Sequence, residues 1–227
     1  MTNIFLRRDL LLNEKEIEKI SKARIALFGL GGVGGYVLES LARMGINHFF
    51  LCDGDVFDET NLNRQLLSNL SNIGLSKVEA GKDRILSINK DAEIAIFGEF
   101  VCNDNIDKIN FDFDYIIDCI DDSKAKVLLI KKAKEKGVKI ISAMGAGNRL
   151  SANFIVSDIY KTEYDPLSKK MRSLLKAEGI NHLKVVYTKD LPLRKNDESS
   201  PVGSISYVVG MMGLKISEEV IKDILCD

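Results

Sequence analysis

The stretch Arg24-Ile-Ala-Leu-Phe-Gly-Leu-Gly-Gly-Val-Gly-Gly35 decides the fold of this chain. An apolar run typical of a buried strand ends in a cluster of glycines, and apolar residues at helical spacing then follow as far as Met44. Glycines at such a turn let the backbone approach a phosphate closely. The helix that follows offers free N–H groups and the positive end of its dipole to the anion. The stretch therefore predicts a nucleotide-binding turn.

The alternation of strands and helices continues outward from this turn. Further strands are predicted at 48–52, 93–97, 115–117 and 138–142, and further helices at 77–89 and 123–136, with Gly45 and Gly137 as helix ends. Strands that alternate with helices imply right-handed crossovers and a parallel sheet covered on both faces. The predicted class is α/β, a Rossmann-like, mostly parallel sheet with a C-terminal α+β extension.

Shorter signals complete the chain at both ends. Asn13 and Glu16 form a capping box for a helix at 14–20. After Gly147 we predict strands at 153–157 and 184–187, a helix at 166–177 opened by Asp165, and a closing helix at 204–225. The polar segment 194–200 is the best candidate for a mobile loop. We expect one domain over 1–227, with a nucleotide-binding part at about 1–147 and a substrate-facing extension at about 148–227.

Composition narrows the functional classes. The chain has 227 residues, of which 45% are hydrophobic and 29% are charged, as in globular proteins. The N-terminal sequence lacks a signal-peptide pattern, and no apolar run approaches the roughly 20 residues of a membrane span. We therefore expect a cytoplasmic protein without membrane partners.

Cysteines and histidines are scattered along the chain. Without any CxxC pair, we expect neither a structural zinc site nor a disulfide framework. The residues concerned are Cys52, Cys102, Cys119, Cys226, His48 and His182.

The net charge of −1 does not indicate a nucleic-acid binder. Cations do concentrate in the C-terminal third, where they favour a solvated helix face. They are Lys161, Lys169, Lys170, Arg172, Lys176 and Lys184.

Polar residues after the glycine turn indicate which nucleotide is bound. Asp53 and Asp55 follow the second strand, at the distance where a carboxylate reaches a ribose, but an NAD dehydrogenase would show the same pattern. The loop Asn61-Leu-Asn63-Arg64-Gln65, the helix-opening Lys77 and the strand-ending Asp121 suit a triphosphate with Mg²⁺ better. Each has a structural alternative, since Arg64 could form a surface ion pair, Lys77 could be solvated, and Asp121 could cap the helix near Ser123.

The combination GLGGVGG, DGD, NLNRQ, GLSKVEA and DCIDD resembles the ubiquitin-activating-enzyme-like (ThiF/MoeB) adenylation family, across roughly the first two-thirds of the chain. Other segments resemble the members of that family that dehydrate threonylcarbamoyladenosine in tRNA, and they extend the resemblance to nearly the whole chain. These segments are Phe5-Leu-Arg-Arg-Asp-Leu-Leu-Leu12, Ser142-Ala-Met-Gly-Ala-Gly147, Asp158-Ile-Tyr-Lys-Thr162, Asp165-Pro-Leu167, Lys184-Val-Val-Tyr187 and Pro201-Val-Gly-Ser-Ile-Ser206.

The resemblance implies a role for each matching residue. ATP would lie against Gly29, Gly31, Gly32, Gly34, Asp53, Asp55, Asn61, Asn63, Arg64, Gln65, Lys77 and Asp121. Within this set, Asp53 would bind the ribose, Arg64 and Lys77 would neutralise phosphates, and Asp121 would coordinate Mg²⁺. Arg7, or else the adjacent Arg8, would reach the site from the opposite subunit of a homodimer and offset charge as pyrophosphate leaves.

The implied reaction is adenylation of the carboxylate of threonylcarbamoyladenosine in tRNA, followed by intramolecular ring closure with release of AMP. Cys119, directly after a strand-end aspartate, is more consistent with buried packing than with a thioester-forming nucleophile, and the penultimate Cys226 is incidental. Three alternatives stay open: adenylation of the C-terminal glycine of a ubiquitin-like sulfur-carrier protein, an NAD-dependent dehydrogenase, and a non-catalytic scaffold that partners a cysteine desulfurase.

Overall fold

The structure is a computed structural model that describes residues 3–193 and 202–226. The segment 194–200, predicted above as a mobile loop, lies outside the described residues. The helices are α1 (Leu6–Asp9), α2 (Glu14–Lys22), α3 (Gly32–Met44), α4 (Lys77–Ile88), α5 (Ser123–Lys136), α6 (Pro166–Ala177) and α7 (Ser206–Cys226). The strands are β1 (Arg24–Phe28), β2 (His48–Cys52), β3 (Glu93–Phe97), β4 (Tyr115–Asp118), β5 (Lys139–Ala143), β6 (Phe154–Asp158) and β7 (Lys184–Thr188).

The strands form one seven-stranded sheet in the order β3-β2-β1-β4-β5-β7-β6. All neighbouring strands in this order pair in parallel except the last two. Strand β6 pairs antiparallel with β7 at the edge of the sheet. The predicted α/β, Rossmann-like class with a mostly parallel sheet is thus confirmed. The C-terminal extension adds its two strands to the same sheet.

Helices cover both faces of the sheet. Consecutive strand residues point to opposite sides, and in the central strands the residues on both sides are apolar, so both faces must be buried. On β1, Ile25 and Leu27 belong to the core formed with α3, α4 and α7. Ala26 and Phe28 belong to a second core formed with α5 and α6. The central strands are therefore buried on both faces, as their continuous apolar runs predicted.

Helix ends follow the capping residues of the sequence. Asn13 and Glu16 form the predicted capping box of α2. Gly45 and Gly137 end α3 and α5 in the left-handed conformation that glycine adopts without strain, and Asp165 caps α6. Helix α1, a single turn of four residues, was not predicted from the sequence.

The closing helix α7 packs directly against α3, the helix that follows the glycine turn. A Cβ atom at Gly213 would lie 2.6 Å from the carbonyl oxygen of Val33, and one at Gly32 would lie 3.2 Å from the side chain of Val209. Only glycine allows this separation between the two backbones. The C-terminal helix thus supports the nucleotide-binding turn from behind.

Candidate active site

A cleft of about 990 Å³ opens at the carboxyl ends of the parallel strands. It lies where the sheet order reverses between β1 and β4, the place where open α/β sheets bind ligands. The cleft brings together most of the residues predicted to bind a nucleotide. Those that line it are Gly29, Gly31, Gly32, Asp53, Asp55, Asn61, Arg64, Gln65, Lys77 and Asp121.

Two predicted binding residues do not line the cleft. Gly34 lies beneath the turn, where a Cβ atom would stand 1.8 Å from the carbonyl oxygen of Gly29. Gly29 itself has φ +88°, and its backbone passes so close to Cys119 that a Cβ atom would be 2.7 Å from the Cys119 carbonyl carbon. The side-chain amide of Asn63 donates to the carbonyl of Ser204 at 3.0 Å. Gly34 thus shapes the turn, and Asn63 anchors the start of α7.

The carboxylate of Asp53 is bound to the glycine turn. Its Oδ2 accepts the N–H of Leu30 at 2.6 Å, and its Oδ1 accepts the N–H of Asp55 at 2.9 Å. These bonds hold a half-buried carboxylate at the mouth of the turn, and its remaining lone pairs can accept further hydrogen bonds.

Lys77 is a cleft residue and not a solvated lysine. Its side chain is 6% exposed, and its Nζ lies 2.5 Å from Oδ2 of Asp55. The backbone N–H of Lys77 also donates to the carbonyl of Asp55 at 3.1 Å. The ion pair holds the ammonium in the cleft, where it can exchange a carboxylate oxygen for a phosphate oxygen.

The loop at 61–65 brings amides and a guanidinium to the cleft. Nη1 of Arg64 donates to the carbonyl of Thr60 at 2.6 Å and to Oδ1 of Asn63 at 3.1 Å. Both partners are neutral, so Arg64 is not tied up in the surface ion pair proposed as its alternative role. Gln65 is buried, and its Oε1 has no hydrogen-bond partner among the residues that the structure describes.

The loop after β4 presents Asp121 to the cleft. Asp122, and not Asp121, caps α5 by accepting the N–H groups of Lys124 at 3.0 Å and Ala125 at 2.8 Å. This excludes the capping alternative for Asp121, whose exposed carboxylate lines the cleft.

A buried ion pair that was not predicted from the sequence fixes this loop. Nζ of Lys126 lies 3.0 Å from Oδ2 of Asp118, and both side chains are 0% exposed; the contact is ionic, because its angles do not form a hydrogen bond. The backbone of Ile120 is held between the two groups. Its N–H donates to Oδ1 of Asp118 at 3.1 Å, and its carbonyl accepts from Nζ of Lys126 at 2.8 Å. The signal was available, since Lys126 lies on the apolar face of α5 with Leu129 and Ala133.

Cys119 lines the cleft between these loops. Burial raises the pKa of the Cys119 thiol to about 12, so the thiol stays protonated and poorly nucleophilic near neutrality. The assignment of Cys119 to packing stays a prediction, since its side chain is partly exposed at the cleft.

The second half of the cleft is built from the turn after β5 and the start of α6. It includes Gly145, Ala146, Gly147, Arg149 and Asp165. Arg149 and Asp165 are buried charged residues, and neither was predicted from the sequence to belong to the site. Two sequence features could have indicated them: Arg149 follows the Gly145-Ala-Gly147 turn closely, and Asp165 is the N-cap residue of α6.

The two candidate trans-acting arginines differ clearly. Arg8 is bound within its own chain, with Nη1 on the carbonyl of Met44 at 2.6 Å and Nε on Oδ1 of Asp9 at 2.7 Å. Its guanidinium also stacks on Phe5, 4.6 Å from the ring centroid. Arg7 is exposed and lies outside the cleft lining of its own chain.

The lysines and arginines that cluster in the C-terminal third of the sequence fall into an exposed group and a group bound to other residues. Lys169, Lys170 and Lys176 are exposed on α6, the helix whose first residues wall the cleft. Arg172 instead donates to the carbonyl of Thr162 at 2.9 Å, and Lys184 pairs with Glu219 and Asp223, each at 2.8 Å.

Within the described ranges, no group of three or more His, Cys, Asp or Glu side chains could hold a metal ion. None of the helices described is long and apolar enough to cross a membrane.

Comparisons with known proteins identify the family of this chain. The sequence model of the ThiF family matches residues 6–226. A tRNA threonylcarbamoyladenosine dehydratase of Bacillus subtilis (strain 168) is 33% identical over 245 residues, spanning 100% of this chain and 96% of that protein. The crystal structure of E. coli tRNA N6-threonylcarbamoyladenosine dehydratase in complex with ATP aligns with a TM-score of 0.91 at 28% identity, covering 98% of this chain and 93% of that chain. The same E. coli enzyme in complex with AMP aligns at a TM-score of 0.89 and 28% identity, covering 96% of this chain and 92% of that chain.

Proposed function

The chain belongs to the ThiF family, and from this membership we propose that it is an ATP-dependent adenylating enzyme that dehydrates threonylcarbamoyladenosine in tRNA. The observation that carries the proposal is that one cleft collects the glycine turn, Asp53, Arg64, Lys77 and Asp121. Full-length similarity to a dehydratase of that name supports the choice of substrate.

ATP binds in the half of the cleft that residues before 147 form. Its phosphates lie on the glycine turn and the N-terminus of α3, where the helix dipole favours negative charge. Asp53 accepts ribose hydroxyls, while Arg64 and Lys77 offset the phosphate charge. The extension from 148 onward faces the second substrate, and a tRNA-modifying role fits the cytoplasm.

Mg²⁺ fits Asp121 when nucleotide phosphates complete its coordination. Mg²⁺ commonly binds one or two carboxylates together with substrate phosphates and water, and the exposed Asp121 carboxylate at the cleft is such a ligand. When bound, the ion neutralises phosphate charge. Asp121 is held for this purpose by the Asp118–Lys126 pair beneath its loop.

The reaction has two steps. A carboxylate oxygen of the threonyl group attacks the α-phosphorus of ATP, and pyrophosphate leaves as the phosphorus–oxygen bond to it breaks. A second nucleophilic atom of the same substrate then attacks the carbonyl carbon of the mixed anhydride, and the attacking group gives up a proton. The bond from that carbon to the phosphate oxygen breaks, so that a ring closes as AMP leaves. Both reacting groups belong to one molecule, so the protein contributes positioning more than a nucleophile.

A homodimer completes the site in this proposal. Arg7 from the partner chain offsets charge on the departing pyrophosphate. Arg7 suits this role better than Arg8, because the Arg8 guanidinium is already bound to Met44, Asp9 and Phe5. Light scattering at working concentration tests it, since a monomeric and fully active enzyme would remove the role of Arg7.

The exposed lysines of α6 are the proposed contact with the tRNA backbone. Phosphate binding by lysine is salt-dependent, and the slope falls by about 0.7 to 0.9 for each phosphate that is no longer neutralised. Lys169→Ala/Lys170→Ala should therefore weaken tRNA binding and flatten its salt dependence, with activity on a short RNA hairpin less affected. Lys15→Ala/Lys134→Ala, two exposed lysines on α2 and α5, is the matched control and should leave the slope unchanged.

The decisive assay is turnover with ATP, Mg²⁺ and tRNA that carries threonylcarbamoyladenosine. Mass spectrometry of the digested nucleosides should find a product lighter by one water, together with AMP. Asp121→Asn should lose both, whereas Asp122→Asn keeps a capping acceptor for α5 and should retain them.

Other outcomes of this assay identify the alternatives. ATP–pyrophosphate exchange without any change in tRNA would move the substrate to a ubiquitin-like carrier protein. If ATP is not consumed, the remaining alternatives are a non-catalytic scaffold and a dinucleotide-binding enzyme. Co-purification with a cysteine desulfurase would test the scaffold. Thermal shifts with ATP–Mg²⁺ against NAD⁺ separate these last two, because a ligand stabilises the fold that it binds.

A further inference from the structure

The turn after β5 is fixed by two buried charged side chains. The N–H of Gly145 donates to Oδ2 of Asp165 at 2.9 Å, and the carbonyl of Gly145 accepts from Nη1 of Arg149 at 3.1 Å. Asp165 is 2% exposed and Arg149 is 5% exposed. Each of the two peptide groups that flank the Gly145 Cα atom is therefore held by one buried side chain, which limits rotation at this glycine.

This arrangement decides where the next N–H group points. In a trans peptide, the carbonyl of one residue and the N–H of the next point in opposite directions, and the described chain contains no cis peptide. Because the Gly145 carbonyl points toward the buried Arg149, the N–H of Ala146 points away from it. Ala146 lines the cleft, and over residues 3–193 and 202–226 its N–H has no acceptor.

In the described part of the chain, Arg149 donates to neutral carbonyls and has no carboxylate partner at this wall. Its Nε donates to the carbonyl of Asp190 at 3.1 Å, and its Nη1 also donates to the carbonyl of Gly147 at 3.0 Å. Nη2 is enclosed without an acceptor in the described part of the chain. All three acceptors are neutral carbonyls, and a guanidinium stays protonated even when buried. An anion near this wall would offset the desolvation of that charge.

The distance to the nucleotide turn suits a reacting carboxylate. β5 is two strands from β1, and at about 4.8 Å per strand the turns after them are about 10 Å apart. A span of about 10 Å leaves room for a substrate carboxylate beside a phosphate that is bound at the nucleotide turn.

We propose that the N–H of Ala146 binds a carboxylate oxygen of the nucleoside substrate, and that Arg149 is the positioning residue that orients this donor and supplies the charge behind it. The inference rests on the proposed function and adds a determinant of specificity. The second half of the cleft would select a nucleoside with a free carboxylate over its neutral amide.

The test compares two short RNA hairpins that differ only at the threonyl group. One carries threonylcarbamoyladenosine, and in the other the carboxylate is replaced by a carboxamide. Binding is measured by fluorescence polarisation with α,β-methylene-ATP, so that adenylation does not occur. The wild type should prefer the carboxylate by about tenfold to a hundredfold, the range for a charge-assisted hydrogen bond.

Arg149→Met should bind both hairpins equally, and Arg149→Lys, which keeps the charge but cannot span three carbonyls, should show an intermediate preference. If Arg149→Met does not fold, the inference is tested by Arg149→Lys alone, whose preference for the carboxylate hairpin should be weaker than that of the wild type. The matched control is Arg172→Met, a partly buried arginine bound to Thr162 outside the cleft, which should keep the wild-type preference. All variants should keep the thermal shift caused by ATP.

The outcomes separate the inference from the proposed function. A wild type that converts the RNA but binds both hairpins equally, or an Arg149 variant that keeps the full preference, would overturn the inference and leave the function standing. A wild type that neither binds nor converts the RNA would overturn the proposed function and the inference with it.

Discussion

Replacing Lys126 by methionine should destabilise the protein more than any surface charge substitution. Lys126 and Asp118 are both 0% exposed, with Nζ and Oδ2 3.0 Å apart. Methionine has a similar length, so it leaves little cavity but removes the charge that balances Asp118. Removal of one partner from a buried pair costs about 3 to 5 kcal/mol, because the other charge stays desolvated.

The Ile120 carbonyl adds to this cost, because it loses its bond from Nζ of Lys126. An unsatisfied buried acceptor costs about 1 to 3 kcal/mol, part of which is already included in the loss of the pair. We therefore expect the free energy of unfolding to fall by about 3 to 5 kcal/mol. Any folded fraction should need more Mg²⁺ for activity, because the loop that carries Asp121 has lost its support.

Urea denaturation followed by circular dichroism measures the change, provided that the m-value stays constant. The control on the same helix is Lys131→Met, whose partner Glu178 is as exposed as Lys131 itself, at 39% and 40%. An exposed pair contributes about 0 to 1 kcal/mol. Asp118→Asn/Lys126→Met should recover part of the loss, because it removes both charges. A loss below about 1 kcal/mol for Lys126→Met would refute the reasoning that the pair is buried and coupled.

Three further outcomes are expected. Gly34→Ala should abolish the thermal shift caused by ATP, because its Cβ atom would lie 1.8 Å from the Gly29 carbonyl, whereas Gly98→Ala meets only Val78 at 3.8 Å and should bind ATP normally. Iodoacetamide at pH 8 should label Cys119 only after denaturation, because burial raises its pKa to about 12; rapid labelling of the folded protein would contradict this. The bond from Arg24 lowers the pKa of Asp114, so its stabilisation is present above the unfolded pKa of about 3.9 and is lost as pH falls through the lower folded value. Asp114→Asn should therefore lose less stability than the wild type as pH falls below about 4, and parallel acid titrations would count against the effect.

Much of the fold could be predicted from local sequence because its signals act over a few residues. The strands at 24–28, 48–52 and 93–97 and the helix at 123–136 have the bounds that apolar runs and glycine ends predicted. The α1 turn escaped prediction, since none of its residues is buried and its exposed leucines give no helical periodicity. Its place is fixed by the bond from Arg8 to Met44, 36 positions away.

The candidate site could be predicted only in part. Its motifs identified which residue types converge on the nucleotide, and the cleft contains most of them. The motifs did not reveal which charged side chains are buried or which partners they bind. Helical spacing places Lys126 on the apolar face of α5, but it does not identify Asp118 as its partner. The motifs gave Arg149 no role, although it binds the carbonyls of Gly145, Gly147 and Asp190.

The sequence by itself determined the parallel α/β sheet, the nucleotide-binding turn and membership of the ThiF family, because periodicity, glycine placement and motif spacing are local properties of the chain. Only the tertiary structure decided which charged groups are free and which are committed. Arg7 is exposed where Arg8 is bound, Asp122 caps a helix where Asp121 faces the cleft, and Arg172 is bound to a carbonyl where Lys169 is open to solvent. The two members of each pair carry the same charge and lie within three positions of each other. They differ because burial and partners depend on contacts that form only when the chain is folded.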